Sequence, residues 1–215
     1  MTEKNNFEVM KDLQGYFKDG ERKLIYNGAE SLRDKVLIRL LWITGRRINE
    51  ILNIKINEID FELKALTIHV EKKTKKVKDS LGNKVKVKFD KLSLSYLDDF
   101  TTKLLIYFIN QTQLKDNDYL FKSDFKENKP ITRQRAFQVI RRTCKKAGID
   151  NIGGKKPHPH HFRHTFAIDQ AKRMKSPSDV RKLQMTMDHS SLAVTEQYLK
   201  FSDEEIRTLV NNVGE

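Results

Sequence analysis

The chain has 215 residues, enough for one domain with a buried core, and its 42 Lys and Arg against 29 Asp and Glu leave a net charge of +13 with a pI near 9.7. This balance points to a polyanionic partner, while a single cysteine, Cys144, excludes an internal disulfide framework and any cysteine-cluster zinc site. Residues Met1 to Asn6 lack the apolar core of a signal peptide, and the longest apolar stretch, Val36 to Ile43, is short and broken by Arg39, so a cytoplasmic protein with no membrane span is expected.

Residues 1–23 read as an N-terminal lead-in, and the body of the chain begins near Leu24. Ser31-Leu32-Arg33-Asp34 resembles a capping box, and Leu32, Val36, Leu37, Leu40 and Leu41 recur at helical spacing until Gly45 stops them. A short helix through Ile48, Ile51 and Leu52 follows. Alternation then takes over: Leu66, Ile68 and Val70, a turn at Ser80-Leu81-Gly82-Asn83, and Val85, Val87 and Phe89 predict a hairpin rich in lysine. The helical period returns from Ser95 with Leu97, Phe100, Leu104, Leu105 and Phe108, and again after Thr132 with Ala136, Val139, Ile140 and Cys144, ending at Gly148. Cys144 reads here as a small buried apolar residue. Pro157-His158-Pro159 opens a helix toward Met174, Ser178–Met187 and Ser190–Phe201 give two short ones, and Ser202-Asp203-Glu204-Glu205 caps a terminal helix with Ile206, Leu209 and Val210 on its apolar face. The fold class expected is α+β and mainly α, with helices around a small antiparallel hairpin.

Four separated features carry side chains suited to chemistry: Thr44-Gly45-Arg46-Arg47-Ile48-Asn49-Glu50, the lysine hairpin, His160-His161-Phe162-Arg163-His164, and His189 followed by Tyr198. Each has an ordinary reading by itself. An arginine after a glycine turn is a solvated helix-start residue, Lys72-Lys73-Thr74-Lys75-Lys76 a solvated face, and Tyr198 a helix residue with its hydroxyl at the surface. His160 and His164 also have the i, i+4 spacing of a helical zinc site. No Glu stands beside His160, however, no Cys adds a ligand, and Arg163 would put a cation into the ligand set, so no metal is expected.

Together the four resemble the catalytic domain of the tyrosine recombinases, the family of phage integrases, Xer and Cre recombinases. The family's Thr-Gly-x-Arg-x-x-Glu is matched by Thr44, Gly45, Arg47 and Glu50, and His-x-x-Arg-His by His160, Arg163 and His164. His189 stands nine positions before Tyr198, as the third-motif histidine does before the nucleophile. The similarity spans residues 24–201, with 202–215 left as a C-terminal helix that the family suggests is exchanged between protomers. Three departures stand out: Arg46 occupies a usually apolar position, Asp188 replaces a usual glycine, and only the lead-in stands where larger members carry a DNA-clamping domain. The chain is accordingly read as a catalytic domain alone or one of the small members.

What the resemblance implies is cutting and rejoining of DNA strands for integration, excision, inversion or resolution. Tyr198 attacks a phosphodiester, forms a 3′-phosphotyrosyl link and releases a 5′-hydroxyl, a bond-conserving exchange that needs neither ATP nor metal and no other cofactor. Arg47 and Arg163 would hold the nonbridging oxygens, where charge develops. A phenol with a pKa of about 10 needs help to ionise, which falls to His160 as base or orienting group. Lys73 is the choice for the acid that protonates the leaving oxygen, with Lys72 and Lys75 as alternatives. His189 would donate to the phosphate, His164 would support the arginine helix, and Glu50 would position the site. Lys72, Lys75, Lys76, Arg133, Arg135, Arg141 and Arg142 are expected to meet phosphates of double-stranded DNA. The family also implies a homotetramer on paired sites, accessory DNA-bending proteins and a place on the nucleoid. Competing readings are a type IB topoisomerase, which shares the chemistry, and a DNA-binding module without catalysis.

Overall fold

The computed structural model describes residues 15–78, 84–174 and 176–187, with the side chains of 71–90 and 177 outside the description. Among these residues lie seven helices: α1 (Asp19–Gly28), α2 (Leu32–Thr44), α3 (Ile48–Leu52), α4 (Asp99–Thr112), α5 (Arg133–Lys146), α6 (Pro159–Arg173) and α7 (Pro177–Thr186). Three strands, β1 (Ile59–Asp60), β2 (Ala65–Lys78) and β3 (Lys84–Tyr96), form one antiparallel sheet in that order. The expected mainly helical α+β class is what the chain adopts. The predicted turn at Ser80–Asn83 and the predicted helices Ser190–Phe201 and 202–213 lie outside the described residues.

By its contacts the chain divides into two compact units, Asn49–Ile131 forming one and the residues before and after it the other. In the helical unit α2 packs on α6, α1 on α5 and on α2, and α6 on α7. The caps foreseen in the sequence are built. Ser31 Oγ accepts from the Asp34 N–H at 3.1 Å and Thr132 Oγ1 from the Arg135 N–H at 3.1 Å, each satisfying a donor that a helix start leaves orphaned. Helix α2 is nearly all inside, with Val36, Leu37, Ile38, Leu40 and Leu41 at 1% exposure or less. Each such side chain contributes about 1.5–3 kcal/mol by leaving water. Phe17 joins this core from outside any helix. Its ring lies 5.3 Å from Trp42 and 4.7 Å from Phe162, and its N–H donates to Thr165 Oγ1 at 2.9 Å. A second cluster, Phe166, Ala167, Ile168, Ala171, Leu183 and Met187, fills the junction of α6 and α7.

Two parts of the chain differ from the sequence reading. The lead-in boundary at Leu24 falls inside α1, which begins at Asp19 and buries only Ile25. The helix expected from Ser95 begins instead at Asp99, after Asp98 caps it by accepting the Thr101 N–H at 2.8 Å, because β3 runs on to Tyr96. In β3 the pattern is inverted: Leu92, Leu94 and Tyr96 are 58%, 52% and 72% exposed, while Ser95 is buried opposite Leu66. A register shift between Val70 and Lys73 marks a bulge in β2.

Candidate active site

The site is anchored where α2 ends. Thr44 closes the last turn by donating its hydroxyl to the Leu40 carbonyl at 2.7 Å, and its oxygen accepts the Arg46 N–H at 3.3 Å. Gly45 then adopts φ 59° and ψ 16°, the left-handed cap that ends a helix. A side chain there would also collide with α6, since a Cβ would lie 2.3 Å from Cδ1 of Phe166. The Thr-Gly pair thus turns the chain sharply while letting α6 approach its backbone.

That approach is used by Arg163. Its side chain is buried on α6, and Nη1 donates to the Gly45 carbonyl at 2.8 Å while Nη2 donates to the Met187 carbonyl. Two of the five N–H donors of the guanidinium therefore lock its plane against the end of α2 and the residue after α7. Sequence reasoning gave Arg163 a role toward a phosphate and missed both carbonyls, for which a sequence carries no letter.

The neighbouring arginines separate by burial. Arg46 is 1% exposed, the largest of the fully buried side chains among the described residues, whereas Arg47 is half-buried at the start of α3. Of the two adjacent arginines Arg47 is the more accessible, and it is also the one at the motif position. Glu50, on α3, is buried at 3% exposure.

Helix α6 starts at Pro159 with His158 as its N-cap residue. His160 is exposed, His161 buried and His164 half-buried, so the first turn presents one ring outward and holds one inward. The inward ring accepts the His158 N–H on Nδ1 at 3.2 Å, and stacks on the His158 ring with centroids 3.8 Å apart. Burial first, then His158, His164, Lys155 and His160, push His161 down to about 3. His158 is lowered too, by burial and then by His160, Lys155 and Arg141. Among the described residues no group of three or more His, Cys, Asp or Glu is placed to hold a metal ion.

The remaining expected residues fall into three sets. Lys72, Lys73, Lys75 and Lys76 lie on β2, Lys73 opposite Phe89 just past the bulge, but their side chains are outside the description. His189 and Tyr198 lie outside the described residues altogether. Arg133, Arg135 and Arg141 are exposed on α5, Arg133 lying 5.4 Å over the Phe137 ring. Arg142, also expected at a phosphate, is engaged within the protein. It pairs with Glu30 at 3.0 Å and with the buried Asp34 at 2.8 Å, which neutralises its charge and ties α5 to the start of α2. Cys144 is fully buried and its thiol is pushed up to about 12, first by burial and then by Glu21, as suits the inert apolar role expected of it.

A sequence model of the phage integrase family matches residues 17–205. Tyrosine recombinase XerC of Staphylococcus epidermidis is 29% identical over 213 residues, and tyrosine recombinase XerA of Pyrococcus horikoshii 26% over 209. These alignments take in 94% and 95% of this chain, which spans 62% and 63% of the length of the two relatives. A crystal structure of XerA recombinase superposes with a TM-score of 0.69 at 26% identity, covering 92% of this chain and 64% of that one. The XerH site-specific recombinase, bound to its palindromic difH substrate in a post-cleavage complex, shares the fold with a TM-score of 0.71 at 22% identity, covering 94% and 54%. Since the matched stretch contains the glycine turn, the clamped arginine and the histidine-headed helix alike, this chain belongs to the phage integrase family.

Proposed function

We propose that this chain is a catalytic domain that cuts and rejoins DNA strands through a 3′-phosphotyrosyl intermediate. The observation that carries the reading is the two-carbonyl clamp on Arg163. It joins the turn of the first motif to the backbone of Met187, which stands two positions before His189 in the sequence. A planar cation fixed this way suits a trigonal-bipyramidal phosphate, because donors already aimed at the developing charge need no reorganisation during reaction.

In this reading Tyr198 attacks phosphorus, its proton passes toward His160, and Arg47 and Arg163 hold the nonbridging oxygens. His189 donates to the same phosphate. Lys73 protonates the departing 5′-oxygen, with Lys72 and Lys75 as alternatives. The P–O bond formed replaces the one broken, so neither ATP nor a metal enters the balance. Glu50 and His164 position the arginines.

Double-stranded DNA is the partner, held by Lys72, Lys75, Lys76, Arg133, Arg135 and Arg141. Arg142, neutralised by two carboxylates, is left out of that set. Work on paired sites calls for a homotetramer, accessory DNA-bending proteins and a location on the nucleoid. Residues 202–215 are the segment exchanged between protomers. An open cleft of about 240 Å³ between α6 and α7, with Phe166, Met174 and Leu183 among Arg173, Asp179 and Lys182 in its lining, is a mixed apolar and charged surface that suits an amphipathic helix. No helix among the described residues is long and apolar enough to cross a membrane.

The test is to incubate the protein and its Tyr198→Phe variant with nicked, fragmented DNA of the source genome, denature in detergent, and sequence DNA that stays covalently attached. The reading expects Tyr198-dependent attachment concentrated at one repeated sequence. Salt-sensitive binding without any adduct would leave only a DNA-binding module.

A further inference from the structure

The first turn of α6 is built without an ordinary cap. Its N-cap position holds His158, flanked by two prolines, where Ser, Thr, Asp or Asn would normally accept one of the four orphan N–H groups. The reciprocal half of a capping box falls to His161, three residues on, in the place usually taken by Glu or Gln. Its Nδ1 accepts the His158 N–H at 3.2 Å, and its own N–H donates to the His158 carbonyl at 3.0 Å. A backbone N–H only donates, so Nδ1 carries no proton and the ring proton sits on Nε2. The burial that holds His161 down to about 3 keeps this acceptor intact at neutral pH.

The ring is also wedged. His161 is 2% exposed, with the Phe17 ring edge-on at 6.2 Å. Its outer face stacks at 3.8 Å on His158, which stands edge-on to His160 at 5.9 Å. Phe17 is itself fixed through its N–H on Thr165 Oγ1, and that hydroxyl donates in turn to the His161 carbonyl at 2.7 Å. A continuous row of rings, Phe17, His161, His158 and His160, therefore runs from the apolar core to the exposed histidine assigned to the tyrosine proton.

Resting on the strand-transfer reading, we infer that His161 is a positioning residue: its ring nitrogen and stacked face set the His158 turn and thereby aim His160. At 2% exposure His161 acts only through its neighbours. Removing the acceptor while keeping apolar bulk orphans the His158 N–H and frees its ring, and a misplacement of about 1 Å at a reacting group costs as much as about 100-fold in rate.

The experiment compares His161→Leu with His161→Gln in the full chain. Gln supplies the acceptor of an ordinary capping box, and Leu supplies only volume. Two readouts are taken: imidazole NMR signals of His160 without DNA, assigned through His160→Asn, and the single-turnover rate of adduct formation on the duplex recovered by adduct sequencing, at saturating DNA. For His161→Leu the His160 signals shift and the rate falls about 10- to 100-fold with DNA affinity unchanged. For His161→Gln the signals return and most of the rate is recovered. The inference is overturned if His161→Leu leaves the His160 signals in place, or if His161→Gln is as impaired as His161→Leu. Complete absence of adduct with the unaltered protein counts against the strand-transfer reading instead, and the NMR comparison still decides the role of His161.

Discussion

Alanine at position 45 should damage both the fold and the site, and the size of the effect follows from two local terms. At φ 59° an alanine occupies the left-handed region at a cost of about 1–2 kcal/mol. Its Cβ would also lie 2.3, 2.7 and 2.9 Å from three atoms of the Phe166 ring, and overpacking of this kind costs about 1–3 kcal/mol. Phe166 is 7% exposed within the cluster holding Leu183 and Met187, so the ring has little room to retreat. The sum, about 2–5 kcal/mol, lowers the melting temperature of a chain this size by roughly 4–20 °C. Because Gly45 also offers its carbonyl to Arg163, adduct formation should fall further than the folded fraction does. The assay is thermal and urea unfolding of Gly45→Ala, Phe166→Leu and the double variant. Relief of the ring contact predicts that the double variant is more stable than the two single losses predict by about 1–2 kcal/mol. A Gly45→Ala protein within about 0.5 kcal/mol of the parent, or strictly additive losses, would refute the packing argument.

Four further outcomes are expected. Arg142→Ala leaves the buried Asp34 carboxylate without its cation and loses about 1–3 kcal/mol, with no change in the salt dependence of DNA binding. Arg141→Ala, on the exposed face of the same helix, keeps stability within about 0.5 kcal/mol and reduces the slope of log affinity against log salt by about 0.9. The reverse assignment in titrations at several salt concentrations would contradict the division. Cys144, with its thiol raised to about 12, should react with an aromatic disulfide at pH 8 only as fast as the protein opens, and labelling at the rate of a free thiol would show the burial to be wrong. For the His161 ring the folded form takes up a proton near 3 and the unfolded form near 6.5, so the unfolded chain binds more protons between those values. Its stabilising contribution is complete above about 6.5 and is lost as the pH falls toward 3; the charged and titratable groups that act on the ring are His158, His164, Lys155 and His160. Denaturation at a series of pH values should show a weaker acid loss in His161→Gln, and an unchanged slope would count against the ring as its source.

Much of the architecture was legible because its signals are local. Ser31 and Thr132 announce their helices through hydroxyls that cap within three residues, and Gly45 ends α2 for the same short-range reason. Helix α1 gave no such signal, since it holds glycines at positions 20 and 28 and buries one side chain. The C-terminal part of β3 misled because its leucines face outward and its serines inward, leaving alternation without a polar outer face. Leu120 and Phe121 are buried in irregular chain held by long-range backbone bonds, Leu120 N–H to Ile54 O at 2.8 Å and Ile131 N–H to Phe121 O at 2.7 Å, which no periodicity foreshadows. At the site, residue types and motif spacing singled out Arg163 and His160 as candidates. The choice between Arg46 and Arg47 needed burial, and the clamp on Arg163 needed the positions of two carbonyls.

The central claim is that Tyr198 takes the 3′-phosphate of a cut strand without metal or nucleotide. It is tested most directly with the recovered duplex carrying distinguishable labels on either side of the cleavage point, incubated in EDTA without ATP and digested to peptides. The account predicts that the fragment ending in the 3′-phosphate is linked to the peptide containing Tyr198, that the other fragment carries a free 5′-hydroxyl, and that Tyr198→Phe yields neither. Attachment through the 5′ end, linkage to another residue, or cleavage that persists in Tyr198→Phe would contradict it.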